Sequence, residues 1–112
     1  MTENENIKNK YTLKLSTRFK KHLKLVTKQN IDNARKIKEV IDILQKGEQL
    51  PEQYRDHALV GNWAGHRECH IQPDLLLIYR IIDDVLILGA CFKSLLLLKQ
   101  AFKNLISLRF LR

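Results

Sequence analysis

Three of the four histidines, His57, His66 and His70, fall within fourteen residues, among Asp56, Arg67, Glu68, Asp74 and Arg80. Imidazoles change charge near neutrality, and neighbouring carboxylates can orient them or share their protons. General acid–base chemistry is what this set fits best. His70 at a strand end and Asp74 just past the next turn can approach one point, and His57 in the preceding loop can fold over it. The competing reading is plain hydrogen bonding at the surface.

A metal site would recruit His66, Cys69 and His70. Strand alternation opposes that set: His66, Glu68 and His70 point to one face, and Arg67, Cys69 and Ile71 to the other. Cys69 is expected in the core, and a zinc site is not the expectation on this spacing. A thiol nucleophile would need Cys69 or Cys91 exposed beside a base, yet both sit in strand runs. Trp63, the single tryptophan, is an RNA-stacking platform or a core plug, and the plug is the expectation.

The elements that must position these groups are legible in the pattern. Residues 1–10 read as a polar, flexible leader. Tyr11 to Leu15 alternates as a short strand. Ser16 can cap a helix from Thr17, whose stripe is Phe19, Leu23 and Val26. Arg18, Lys20, Lys21, Lys24 and Lys28 give that helix a basic outer face. Asp32 is a candidate cap for a second helix with Ala34, Ile37, Ile41 and Leu44 inward, and Gly47 closes it. Residues 48–65 read as a loop. Strands follow at about His66–Gln72, Leu75–Ile82 and Val85–Cys91, joined by turns at Pro73-Asp74 and Asp83-Asp84, and connections this short make an antiparallel meander. The expectation is an α+β domain, β-α-α-β-β-β, with a helical hairpin packed on a small twisted antiparallel sheet. Residues 11–92 form the domain, and 93–112 an apolar, basic tail that can form an amphipathic helix.

The chain has 112 residues, 45% hydrophobic and 29% charged, enough for one core and too short for two domains. Its longest apolar run, Val85 to Phe92, is far below the ~20 residues of a membrane span. No secretory signal is seen, and two cysteines make no disulfide framework, so a cytoplasmic protein with reduced thiols is expected. The net charge is +8. Residues 1–38 carry eleven basic side chains against three acids, and 85–112 five against none. Such a field attracts polyanions, nucleic acid and ribosome among them, although it also serves solubility.

Asp56-His57-Ala58-Leu59-Val60-Gly61-Asn62-Trp63, followed by Arg67-Glu68-Cys69-His70-Ile71-Gln72-Pro73-Asp74-Leu75-Leu76-Leu77-Ile78-Tyr79, closely resembles the YafQ-type toxins of the RelE/ParE superfamily of bacterial type II toxin–antitoxin modules. The resemblance covers about residues 11–88, without a gap in the motif. It implies a RelE-like fold and an mRNA interferase that enters the ribosomal A site. There the ribose 2′-oxygen attacks the adjacent phosphate, with no metal or cofactor. His57, His70 and Asp74 match family catalytic residues. Leu75 stands where some members have tryptophan. Arg18, Lys20, Lys21, Lys24, Lys28, Arg67 and Arg80 are the expected RNA contacts. The implied partners are a cognate antitoxin, joined with the toxin in a hetero-oligomer, together with the ribosome and mRNA.

After Leu88 the pattern departs. The family continues R-x-G-S-H, its arginine balancing phosphate charge and its histidine protonating the leaving 5′-oxygen. In register, Ala90 occupies the arginine position and Ser94 the general-acid position. A one-base shift at the Gly89 codon can restore arginine, serine and histidine at the family positions, so a frameshift is one origin for the tail. The expectation is an endoribonuclease by descent with reduced or lost activity. The alternatives are a non-enzymatic remnant that binds antitoxin and a ParE-like topoisomerase poison.

Overall fold

The structure, a computed structural model, describes residues 9–93. Strand β1 (Thr12–Leu15) leads into helices α1 (Thr17–Gln29) and α2 (Asp32–Gln45). Strands β2 (His57–Ala58), β3 (Arg67–Gln72), β4 (Leu75–Ile82) and β5 (Val85–Lys93) complete one five-stranded sheet, ordered β1-β5-β4-β3-β2. The α+β class and the β3–β4–β5 meander agree with the sequence reading. Two details of the sheet differ. It is mixed, because β1 pairs parallel to β5, from Thr12↔Val85 to Leu15↔Leu88. The hairpin α1–α2 returns the chain far enough for a parallel neighbour, which short turns cannot do. The 48–65 loop also holds β2, which pairs with β3 through His57↔Glu68, and two short 3-10 turns, Glu52–Tyr54 and Gly61–Trp63.

Ser16 caps α1: its Oγ accepts from Phe19 N–H at 3.0 Å and donates to the Gly89 carbonyl at 2.9 Å. The same hydroxyl thus satisfies an orphan helix donor and ties α1 to β5 where β1 ends. Asp32 is not the cap of α2. Asn30 Oδ1 accepts from Asp32 N–H instead, and the Asp32 carboxylate pairs with Arg35 and Lys36. Gly47 closes the hairpin at φ +81°, the left-handed conformation that glycine takes without a Cβ penalty. Asn33, 1% exposed, donates from Nδ2 to the Val26 carbonyl at 2.8 Å. That bond satisfies a polar group at the buried crossing of the two helices.

One face of the sheet takes the hairpin. Phe19 and Val26 of α1 and Ile37, Val40 and Leu44 of α2 close on Cys69, Ile71, Leu75, Leu77, Tyr79, Leu86, Leu88 and Cys91. The helical stripes differ from expectation in detail: Val40 takes the deep place, Leu23 and Ile41 pack at the rim, and Ala34 lies outside the core while its neighbour Asn33 is buried. The other face is free of the helical layer, and it carries the alternate residues of β3.

Candidate active site

Asp56 and His57 are consecutive, so the backbone sends their side chains opposite ways. Asp56 turns inward. Its Oδ1 accepts from the Tyr79 hydroxyl at 2.6 Å, and its Oδ2 lies 3.2 Å from Arg67 Nε. Tyr79 is 2% exposed; burial, then the Asp56 contact, pushes its phenol up out of reach of ordinary pH. The three groups form a bolt through the sheet edge. Arg55 contributes from the other side. It sits at φ 50°, uncommon for a residue with a Cβ, and its carbonyl accepts from His57 Nδ1 at 2.8 Å.

With Nδ1 donating, the Nε2 atom of His57 is the reactive nitrogen. It faces Glu68 Oε1 at 3.2 Å, and His70 Nε2 is 4.0 Å from the same oxygen. The two imidazole rings are 6.2 Å apart, centre to centre. Cross-strand pairing of His57 with Glu68, and i, i+2 spacing of Glu68 and His70 on β3, bring the three together. A neutral His57 in this tautomer would aim a lone pair at a carboxylate, so the geometry calls for a proton or a cation between them. His70 also lines a cleft of about 500 Å³ with Tyr54, Arg55 and Gln72.

Asp74 is held elsewhere. Its Oδ2 is 3.0 Å from Lys93 Nζ, across the end of the sheet. The structure therefore joins His57 and His70, adds Glu68, and gives Asp74 a lysine partner. Glu68 is the site residue the sequence reading left out of its catalytic set, although alternation already placed it beside His70. Ala90 pairs with Ile78 on the free face and is 1% exposed. Ser94 and the tail beyond it lie outside the described residues.

Cys69 and Cys91 are both fully buried, and burial pushes each thiol up to about 12. Neither offers a thiolate near neutral pH, so the nucleophile and the Cys69 metal ligand both fall away. Trp63 is not a core plug. It is half-buried in the loop, with the Arg18 guanidinium 5.3 Å from its ring centre and His66 edge-on at 5.1 Å. Lys20, Lys21, Lys24 and Lys28 are exposed along α1, and Arg67 is committed to Asp56. Among the described residues no helix is long and apolar enough to cross a membrane.

A two-helix hairpin backing one face of a small mixed sheet is the RelE-like architecture of this chain's structural neighbours. Residues 11–92 match the family model described as the bacterial toxin of the type II toxin–antitoxin system, YafQ. The chain belongs to that family and is a type II toxin. The mRNA interferase toxin YafQ of Escherichia coli K12 is 36% identical over 75 residues, 66% of this chain and 80% of that one. A 33-residue stretch is 67% identical to a Haemophilus influenzae protein bearing the YafQ name, and spans only 32% of its length. Among solved structures, a copper-bound mutant toxin from Helicobacter pylori superposes with a TM-score of 0.71 at 39% identity, covering 78% of this chain and 98% of that one. The E. coli DinJ–YafQ complex gives 0.69 at 32%, covering 78% and 97%.

Proposed function

We propose that this toxin is a ribosome-dependent mRNA endoribonuclease with an impaired cleavage step, and that its partner is an antitoxin like the one joined to YafQ in the E. coli complex. The observation that carries the reading is the His57–Glu68–His70 cluster on the open face of a YafQ-family sheet. In such a reaction the 2′-hydroxyl loses its proton to a base, its oxygen bonds to the adjacent phosphorus, and the 5′-oxygen leaves with a proton from an acid. The cluster has the donors and acceptors for the first transfer. Asp74, steadied by Lys93, sits at the same end of β3. Ala90 and Ser94 supply neither the phosphate counter-charge nor the leaving-group proton, and each such loss costs about 10²-fold or more.

A second reading of the same cluster is a divalent cation site. The His57, Glu68 and His70 donor atoms all lie within 4.8 Å of one another, and the related toxin from H. pylori is copper-bound. Two imidazoles and one carboxylate suit copper or zinc, and the Nδ1 bond to Arg55 orients His57 as metal-bound histidines are oriented. A cation there takes the lone pairs that proton transfer needs, so it acts against cleavage.

Primer-extension mapping of mRNA cut by the full chain with ribosomes tests both readings. Cleavage should be weak, should rise about 10²-fold or more in an Ala90→Arg, Ser94→His variant, and should fall again on adding His70→Ala. EDTA should not reduce it, whereas Cu(II) should. Vigorous cleavage by the unaltered chain would refute the impairment, and activity restored only by added metal would refute the metal-free chemistry.

A further inference from the structure

Beside the catalytic cluster, on the same face, lies a second group that the proton chemistry leaves unused. His66 precedes β3 and shares the face of Glu68 and His70. Arg80 stands on β4 two residues beyond Ile78, the partner of both Glu68 and Ala90. The Arg80 guanidinium reaches up to the loop: a Cβ built on Gly65 would lie 3.8 Å from Nη2. His66 leans across β4 to β5, where a Cβ on Gly89 would lie 3.9 Å from its Cδ2. Glycine at 89 leaves that space open. His66 Nδ1 and Arg80 Nε are buried and have no hydrogen-bond partner among the described residues. Buried polar nitrogens are nearly always satisfied, by ordered water where not by protein, so two exceptions on one face mark a place where a hydrogen-bonding group can enter. Trp63 packs on His66 and under Arg18, two contacts that set an aromatic ring beside two potential cations. None of Arg18, His66 and Arg80 is in an ion pair among the described residues.

We infer that Trp63, Arg18, His66 and Arg80 form a nucleotide subsite for single-stranded RNA. Arg80 and His66 take one phosphodiester, and Trp63, steadied by Arg18, stacks the adjoining base. An aromatic platform flanked by guanidinium groups is how sequence-tolerant single-strand sites are built. The free phosphodiester oxygens are the acceptors that the two orphaned nitrogens lack. Arg80 also brings positive charge to the row beside Ala90, where this chain has no arginine. The inference rests on the reading of the chain as an RNA-acting toxin and names the residues that hold its substrate.

Because Trp63 is the single tryptophan, its fluorescence reports the subsite directly. The full chain is titrated at low salt, without ribosomes, with a fully 2′-O-methylated eight-nucleotide RNA that cannot be cut. Saturable quenching is expected. Anisotropy of the labelled RNA should show about tenfold weaker binding for Arg80→Gln and for Trp63→Leu, and a smaller loss for Arg18→Gln. Lys38→Gln, on the far side of α2, should bind as the parent does. Should Arg80→Gln fail to fold, the exposed Arg18→Gln and the ring-preserving Trp63→Phe decide the matter. Unchanged titrations in Arg80→Gln and Trp63→Leu would overturn the subsite. So would inorganic phosphate that quenches Trp63 as well as RNA does, since a bare anion site needs no base. Failure to cleave mRNA on the ribosome would refute the proposed activity and leave this binding result standing.

Discussion

The two faces of the sheet use the same strands for opposite ends. On the helix side, Cys69, Leu75, Leu77 and Tyr79 are buried to 2% exposure or less, and their work is burial. On the free side, Glu68 and His70 keep part of their surface, 18% and 27%, and hold imidazole and carboxylate close together without neutralising them in a network. The side chains alternate along one strand, yet the first set stabilises and the second is left poised. Buried apolar and part-exposed polar side chains are thereby separated by the alternation of the backbone rather than by distance. The Asp56–His57 step is where they meet: one carboxylate is bolted beneath the sheet, and the next side chain is aimed above it.

The sharpest break in this comparison is a core truncation. Leu77→Ala should cost ~2–5 kcal/mol, the usual loss for a fully buried leucine. Glu68→Gln on the neighbouring strand should cost ~1 kcal/mol or less, because its partner His57 is half exposed and such pairs contribute little. Equal losses in urea melts would mean that the free face is also structural. Next in size is Tyr79→Phe. It removes a buried hydroxyl's bond to a charged acceptor, worth ~1.5–3 kcal/mol, and loosens the residue that precedes His57. A stability loss accompanied by a shifted His57 imidazole signal in NMR would confirm the coupling between faces; an unmoved signal would disprove it. The smallest effect is on pH. Burial, with help from Arg18, lowers the pKa of His22 below its usual 6.5, and its Nδ1 accepts the Cys91 N–H at 3.3 Å. The unfolded chain therefore takes up the proton first as pH falls. Stability should rise with pH through the interval ending near 6.5, the contribution being complete above it and lost as pH falls through the lower folded value. His22→Gln should flatten that part of the pH–stability curve, and an unchanged slope would remove His22 as its source.

The helices repeat the contrast on the surface. In α2 the cations answer to acids within one turn, Arg35 to Asp32 and Glu39 and Lys38 to Asp42. In α1, Lys20, Lys21, Lys24 and Lys28 have no acid to answer to among the described residues. The four unpaired lysines therefore make a positive field along this helix, where a polyanion meets it without first breaking ion pairs.

Much of this was legible in the chain. The helical stripes, the Ser16 cap, the two tight turns and the inward Cys69 all follow from local periodicity and turn chemistry, which depend on neighbours a few residues away. The motif from Asp56 to Tyr79 was enough to identify the family. Local rules also misled: an aspartate at a helix start suggested a cap, but Asn30 had the better reach, and a lone tryptophan suggested a plug. The parallel pairing of β1 with β5 joins residues more than seventy positions apart, and no short-range pattern encodes it. The same holds for the site. Sequence alone supplied His57, His70 and Asp74 as candidates and put Glu68 on the right face. Only the folded sheet set His57 against Glu68 across β2 and β3, gave Asp74 to Lys93, and left His66, beside Trp63, and Arg80 with nitrogens unpaired among the described residues, because side-chain pairing is decided by which strands become neighbours.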